Sequence, residues 1–331
     1  MKLLQLTLEN FRGAPDGTYA FTHPATGKPH DLILITGGPA SGKTSILAAI
    51  AALKEIVGGY GPPPTAGRLR RAGAADGSIA ATWQFAAEEA ARAGVPGPTG
   101  ATKVVLDDGP VPLFDPGLRA LFASYSLEPT QGKFELFPAN RRLSLAPVPM
   151  RMTSSDLTAG RLRLCTNPGK YAGVRQALVE LALSDALLNA ESLAESGLVA
   201  RWQQRDSLAP IKRSLSALAP WLRLASVQPR DGTYCVWFLR VDGAKIEFED
   251  LSEYEQQALL FSVVFDRVGL NHSVVLIDHP ELFVHPSHQT DFVRTLASLG
   301  ADNQVIVATS SAELLATMSP QQILRLGPKT K

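Results

Sequence analysis

The stretch Gly37-Gly38-Pro39-Ala40-Ser41-Gly42-Lys43-Thr44 constrains this chain more than any other feature of its sequence. It has the form G-x-x-x-x-G-K-[ST], and its flanks agree with that form. Before it, residues 31–36 (DLILIT) form a continuous apolar run, the pattern of a central strand covered on both faces. After it, residues 45–57 repeat Ile, Leu and Ala at helical spacing. A strand, a glycine-rich turn and a helix in that order aim successive backbone N–H groups and a helix N-terminus at one anion. Gly37 and Gly42 permit backbone angles and close approaches that a side chain would obstruct. Lys43 is placed to neutralise β- and γ-phosphates and the Thr44 hydroxyl to ligate a divalent cation. The loop from Gly37 to Ser45 therefore implies ATP and Mg²⁺ as cofactors.

A magnesium site of this kind needs a carboxylate. Val274-Val275-Leu276-Ile277-Asp278 supplies one at the carboxyl end of an apolar strand, so Asp278 joins Thr44 as a metal candidate. Around it the last third of the chain alternates strand and helix, at residues 273–277, 286–299, 304–308 and 312–318, which is the grammar of a parallel sheet. At the amino end, residues 2–11 alternate as a half-buried strand, and residues 18–22 return after Asp16-Gly17 as a second. The Gly58-Gly59 pair and prolines 62–64 stop the helix that follows the glycine loop. Strands are expected at 78–85, 103–106 and 133–137. Residues 234–241 and 244–248 predict a hairpin about Asp242-Gly243, and Ser252 opens a helix to residue 268, with Glu255 available to complete a capping box. The leucine- and alanine-rich stretch from 174 to 224 reads as helical. These patterns give three regions: an N-terminal lobe at 1–155, a helical insertion at 156–225 and a C-terminal lobe at 226–331.

Composition narrows the classes of partner. Of 331 residues, 32 are Lys or Arg and 31 are Asp or Glu, leaving a formal charge of +1 and no overall electrostatic case for nucleic acid. Two cysteines make neither a disulfide framework nor a metal pattern, and no apolar run is long enough for a membrane span, so a cytoplasmic protein is expected. The short basic groups Arg68, Arg70, Arg71 and Arg141, Arg142, Arg151 read as solvated faces. His285 and His288 lack the Cys or carboxylate company of a metal site.

Taken in order, the motifs resemble the ATP-binding-cassette type of head ATPase, in the branch that includes RecF, SMC-like proteins and OLD-type AAA proteins. Residues 6–13 (LTLENFRG) are similar to that family's opening strand, residues 37–45 to its Walker A loop, and residues 251–257 (LSEYEQQ) to its signature L-S-S-G-E-Q-Q. Residues 276–286 (LIDHPELFVHP) resemble L-I-D-E-P-E-L-H-L-H-P, and residues 304–311 (QVIVATSS) the strand that ends T-T-H-S. The resemblance implies an α/β P-loop NTPase of the ABC head type, with a mixed or parallel central sheet and an inserted helical subdomain. It also implies a homodimer that sandwiches ATP, in which Ser252 of one subunit faces the γ-phosphate held by the other, and a separate protein effector.

Three positions depart from the family pattern. His279 stands where a glutamate normally polarises the attacking water, Ser310 where a histidine contacts the γ-phosphate, and Tyr254 where the signature has glycine. Glu281, two residues beyond His279, is a substitute if the chain bends there. Asp278, His279, Glu281 and Ser310 are thus the catalytic candidates. Retained nucleotide binding with weak or absent hydrolysis is the expected behaviour, in the service of a nucleotide-dependent dimerisation or partner-association switch. The alternatives are a hydrolysis-competent RecF-like ATPase acting with DNA, in genome maintenance or anti-phage defence, and a pseudo-ATPase scaffold. Gln84 and Asn140 are both candidates for the glutamine-type ligand that family members place near magnesium.

Overall fold

A computed structural model describes residues 1–58, 65–107, 110–114, 116–123, 131–150, 170–196 and 205–327. The proline stop at 62–64, Arg151 and the first part of the helical insertion lie outside the described residues. The described residues divide into two compact units, one built from those within 1–139 and 269–327, the other from those within 140–150 and 170–268.

In chain order, the first unit opens with β1 (Lys2–Glu9), β2 (Gly17–Ala20), β3 (Leu32–Thr36), α1 (Lys43–Gly58), α2 (Ala66–Leu69), β4 (Ser78–Gln84), α3 (Ala87–Ala93), β5 (Thr99–Leu106), β6 (Pro110–Phe114), α4 (Pro116–Ala123) and β7 (Phe134–Phe137). The second unit contains β8 (Val148–Pro149), α5 (Val174–Ser196), α6 (Ala209–Leu218), β9 (Leu222–Arg230), β10 (Thr233–Arg240), β11 (Lys245–Glu247) and α7 (Glu253–Val268). The chain then returns to the first unit as β12 (Val274–Asp278), α8 (Pro286–Ser298), β13 (Gln304–Ala308), α9 (Ala312–Thr317) and β14 (Ile323–Arg325).

The first unit has an antiparallel sheet in the order β2-β1-β4-β5-β6 and a parallel sheet in the order β14-β3-β13-β12-β7. Helix α1 packs against strands of both sheets. That position explains its composition, since Ile46, Leu47, Ile50, Leu53 and Val57 are all buried and the helix is apolar around most of its circumference. The inward residues of β1, Leu3, Leu6 and Leu8, join α1 in one core. Trp83, Phe122 and Phe134 meet there with ring centroids 5.2 to 5.4 Å apart, and the Trp83 indole N–H donates to the Thr102 hydroxyl at 2.7 Å. Every residue of β3, β12 and β13 is buried, which accounts for their apolar runs, broken only at one end by Thr36, Asp278 and Gln304 respectively.

Register in the parallel sheet fixes the site. Asp278 pairs with Ala308, and Ala308 with Ile35. The carboxyl ends of β3, β12 and β13 are therefore level, and the turns that leave them start side by side.

In the second unit, β10 pairs with β9 along one edge and with β11 and β8 along the other, and helices α5 and α6 pack against this sheet and against α7. The hairpin about Asp242-Gly243 and the helix after Ser252 form as expected. The helical pattern from Val174 ends sooner than its leucine content suggests, because Leu222, Leu224 and Val227 enter the antiparallel ladder of β9 with β10. Among the described residues no helix is long and apolar enough to cross a membrane.

Candidate nucleotide site

The turn between β3 and α1 forms one wall of a cleft of about 530 Å³ in the first unit, lined by Gly13, Pro39, Ala40, Ser41, Gly42, Lys43, Thr44, Ser45, His279 and Ser310. Two glycines in this turn are required by close approaches. A Cβ on Gly42 would stand 2.5 Å from the Gly13 carbonyl oxygen and 2.7 Å from the Ala14 Cα, and its φ of +100° is itself unsuited to a side chain. A Cβ on Gly37 would meet the Ser41 hydroxyl at 2.6 Å and the Leu326 carbonyl at 3.0 Å. Ala40, by contrast, occupies a left-handed conformation at φ +58° without being glycine. Strain of this kind collects at functional turns.

The Lys43 ammonium donates to the Gly37 and Gly38 carbonyls at 2.9 and 3.1 Å, so its charge is held over the loop. The Thr44 hydroxyl donates to both oxygens of Asp278, at 3.0 and 3.2 Å, and Asp278 is buried. A hydroxyl and a carboxylate held together beside a cationic loop form the hard-oxygen donor pair that suits Mg²⁺.

Beyond Asp278 the chain turns sharply, with His279 at φ +49° and its N–H bonded to the Ala308 carbonyl at 2.8 Å. The turn brings the Glu281 carboxylate back to His279, with His279 Nδ1 3.0 Å from Glu281 Oε1. That same oxygen accepts from the Ser310 backbone N–H at 3.0 Å. The hydrogen bond to Glu281 raises the His279 pKa, against the opposing effect of burial. Burial pushes the Glu281 pKa up, yet the bonds from His279 and the Ser310 N–H outweigh it and hold the carboxyl below its ordinary value. Thus Asp278, His279, Glu281 and Ser310 come together at one end of the parallel sheet, with Glu281 behind the histidine rather than in the cleft lining.

The signature residues belong to the second unit. Ser252 precedes α7 and makes the capping box: its N–H and hydroxyl donate to Glu255 Oε2 at 2.8 and 2.9 Å. Glu255 is also held by Arg240 at 2.8 Å and by the Trp221 indole N–H at 3.2 Å. Although burial works against its ionisation, the bonds from Arg240 and then Ser252 lower its pKa. Tyr254 packs its ring on Trp221, with centroids 5.1 Å apart, and donates its hydroxyl to the Leu218 carbonyl at 2.7 Å. The bulk that replaces the signature glycine is therefore engaged inside its own unit.

Gln84 does not line the cleft. It pairs with Lys2, whereas Glu9 pairs with Ser78, so it sits at the far end of the β1–β4 ladder from the Asn10–Gly13 turn, about 20 Å away at strand rise. Asn140 falls in the second unit. Arg71 is bonded to Asp16, and Arg141 is buried with its Nε on Gln257, so neither is a free surface cation. His285 caps α8 through Ser287, and no group of three or more metal-capable side chains occurs among the described residues. Gly13 lines the cleft and is not singled out by sequence reasoning. Its signal is its place at the end of N-F-R-G, and its carbonyl oxygen lies 2.5 Å from where a Cβ on Gly42 would stand.

The chain is similar to known proteins in part of its sequence and in fold. Residues 173–316 match the family model described as "AAA domain, putative AbiEii toxin, Type IV TA system". No curated protein matches the chain in sequence. Among solved structures, the chain is similar to an SMC head bound to the C-terminal winged-helix domain of ScpA, with TM-score 0.55 and 14% identity over 96% of this chain and 92% of that one. It is also similar to an SMC head with an extended coiled coil bound to the C-terminal domain of ScpA, derived from Pyrococcus furiosus, with TM-score 0.51 and 14% identity over 95% and 91% of the two chains. With a parallel sheet, a glycine loop bonded to Lys43 at the end of β3, and Thr44 set against Asp278, the chain has an SMC head-like P-loop NTPase fold.

Proposed function

We propose that this chain binds Mg·ATP in the cleft at the carboxyl end of its parallel sheet and works as a nucleotide-dependent association switch, with hydrolysis slow relative to binding. The observation that carries the reading is the pairing of Thr44 with Asp278 at 3.0 Å beside the Lys43 loop. Thr44 and Asp278 would hold the cation, and the loop from Gly37 to Ser45 would cradle the phosphates with backbone N–H groups, the α1 N-terminus and the Lys43 ammonium. Bound magnesium supplies neutralisation of charge on the β- and γ-phosphate oxygens.

Slow turnover follows from the residues at two positions. His279 lacks the permanent negative charge that orients water beside a metal-bound phosphate, and Ser310 has no imidazole to contact the γ-phosphate. ATP then serves chiefly as a ligand whose binding energy stabilises the state that holds it. In that state the Ser252 end of α7 in a second copy would close over the γ-phosphate. A protein effector is the other partner this reading requires, and the similar SMC heads are bound to ScpA domains.

Molecular mass in solution, measured with and without Mg·ATP for the native chain and Lys43→Ala, tests the switch. A mass increase with ATP that Lys43→Ala abolishes is the expected result. An unchanged mass with ATP, both for the chain alone and for the chain with its isolated binding partner, contradicts it.

A further inference from the structure

The turn that Gly42 packs against is itself held from outside the cleft. Residues 10–16 leave β1 through two left-handed residues that are not glycine, Asn10 at φ +49° and Arg12 at φ +42°. Such a turn keeps its shape only where its surroundings over-determine it. Residues 69–71, at the end of α2, supply those surroundings. Phe11 pairs with Arg70 in an antiparallel bridge, the Arg12 N–H donates to the Leu69 carbonyl at 2.9 Å, and the Arg71 N–H donates to the Asn10 carbonyl at 2.7 Å. The Arg71 guanidinium then closes the turn. One η nitrogen donates to the Ala14 carbonyl at 2.7 Å and to Asp16 Oδ1 at 2.8 Å. The other donates to Asp16 Oδ2 at 3.0 Å and to Asn10 Oδ1 at 3.3 Å, and Nε reaches the Arg12 carbonyl at 3.4 Å. Asp16 Oδ1 also accepts from the Asn10 N–H at 2.7 Å, so one arginine and one aspartate tie both ends of the turn together. The inner side of the same turn is Gly13, which lines the cleft, and Ala14. A Cβ on Gly42 would stand 2.5 and 2.7 Å from them, and Lys43 follows directly.

Resting on the reading of the cleft as a Mg·ATP site, we propose that Arg71 is a positioning residue for the nucleotide. Paired with Asp16, it fixes the Asn10–Asp16 turn, and the turn holds the glycine loop in the conformation that receives phosphates. The planar guanidinium suits this task because its donors fan out to two carbonyls, a side-chain amide oxygen and both oxygens of a carboxylate, which an ammonium cannot span. Its charge is met by Asp16 rather than by the ligand. Removing either charge should therefore change nucleotide affinity in the same direction, although the two charges have opposite signs. A cation that met the phosphates directly would give the reverse for Asp16, whose removal would free that cation and tighten binding.

Calorimetric titration of the full chain with Mg·ATP and with Mg·ADP, at a temperature well below each variant's unfolding midpoint, tests the assignment. The pair is exposed, 38% at Arg71 and 46% at Asp16, so its share of global stability is small. A side chain that only adds to global stability leaves the affinity of folded protein unchanged, which makes affinity the deciding readout. Arg71→Ala and Asp16→Ala should each weaken both nucleotides about fivefold or more, and the double variant little more than either, as partners in one interaction do. Arg71→Lys should fall between the native chain and Arg71→Ala. Arg68→Ala removes an exposed cation from the same segment and should bind as the native chain does. Should an alanine variant fail to fold, Arg71→Lys and Asp16→Asn carry the test, each expected to weaken Mg·ATP about threefold or more. Native affinity in the folded variants, tighter binding by Asp16→Ala, or losses that multiply in the double variant would overturn the positioning role alone. A native chain that takes up no nucleotide overturns the binding reading with it.

Discussion

Thr44 donates its hydroxyl to the Asp278 carboxylate at 3.0 Å, across a separation of 234 residues. The parallel register of β3, β13 and β12 makes this contact possible, because it brings the start of α1 and the end of β12 to the same edge of one sheet. The two residues are far apart in the chain, and yet the fold holds their side-chain oxygens together.

Gly42→Ala puts a methyl 2.5 Å from the Gly13 carbonyl at a φ of +100°. Strain and overpacking together should cost about 2 kcal/mol or more. Thermal unfolding should show the loss, and nucleotide affinity should fall with it because the loop can no longer sit on the Asn10–Gly13 turn.

Ala40→Gly should act in the opposite direction. Relief of the left-handed strain at φ +58° outweighs the added freedom of glycine in the unfolded chain, for a net gain of about 0.5–1 kcal/mol. A rise in Tm with ATP affinity retained is the expected outcome, and a fall in Tm would show that the loop is not strained there.

Tyr254→Gly restores the residue that the signature pattern carries, and it should nevertheless destabilise the protein. It removes a ring packed on Trp221 and the bond to the Leu218 carbonyl at 2.7 Å, and it adds glycine to the first turn of α7. A loss of about 3 kcal/mol is expected in denaturant unfolding.

Glu255 sets an acid limit on the second unit. Its folded pKa lies below the ordinary value of 4.5, so the stability it contributes is present above that value and is lost as pH falls through the folded pKa. Unfolding midpoints followed from pH 6 down to about pH 3 should fall more steeply for the native chain than for Glu255→Gln, which is less stable at pH 6 because Arg240 has lost its charged partner. Equal slopes would remove Glu255 from the account.

The glycine loop was legible in the sequence because its determinants are local: glycines at fixed spacing, an apolar run before them and an apolar helix after. Strands β12 and β13 were legible for the same reason, since burial on both faces leaves a run of four apolar residues in each, with a polar residue only at one end. Strand β9 was not, because its Arg223, Gln228, Pro229 and Arg230 dilute the pattern and its pairing with β10 decides its conformation. The contact of the Gly13 carbonyl with Gly42 was not legible, because only the fold brings the two together. Glu281 was legible as a candidate, but its bond from the Ser310 N–H was not, for the same reason. The packing of Tyr254 on Trp221, a neighbour 33 residues earlier in the chain, leaves no local mark in the sequence.

Titration calorimetry with ATP in the presence of magnesium, on the native chain and on Lys43→Ala and Asp278→Asn, tests the central claim most directly. Saturable uptake by the native chain, weakened about tenfold or more in Lys43→Ala and made independent of magnesium in Asp278→Asn, is the predicted result. Equal uptake by all three proteins, or none by the native chain, would contradict it.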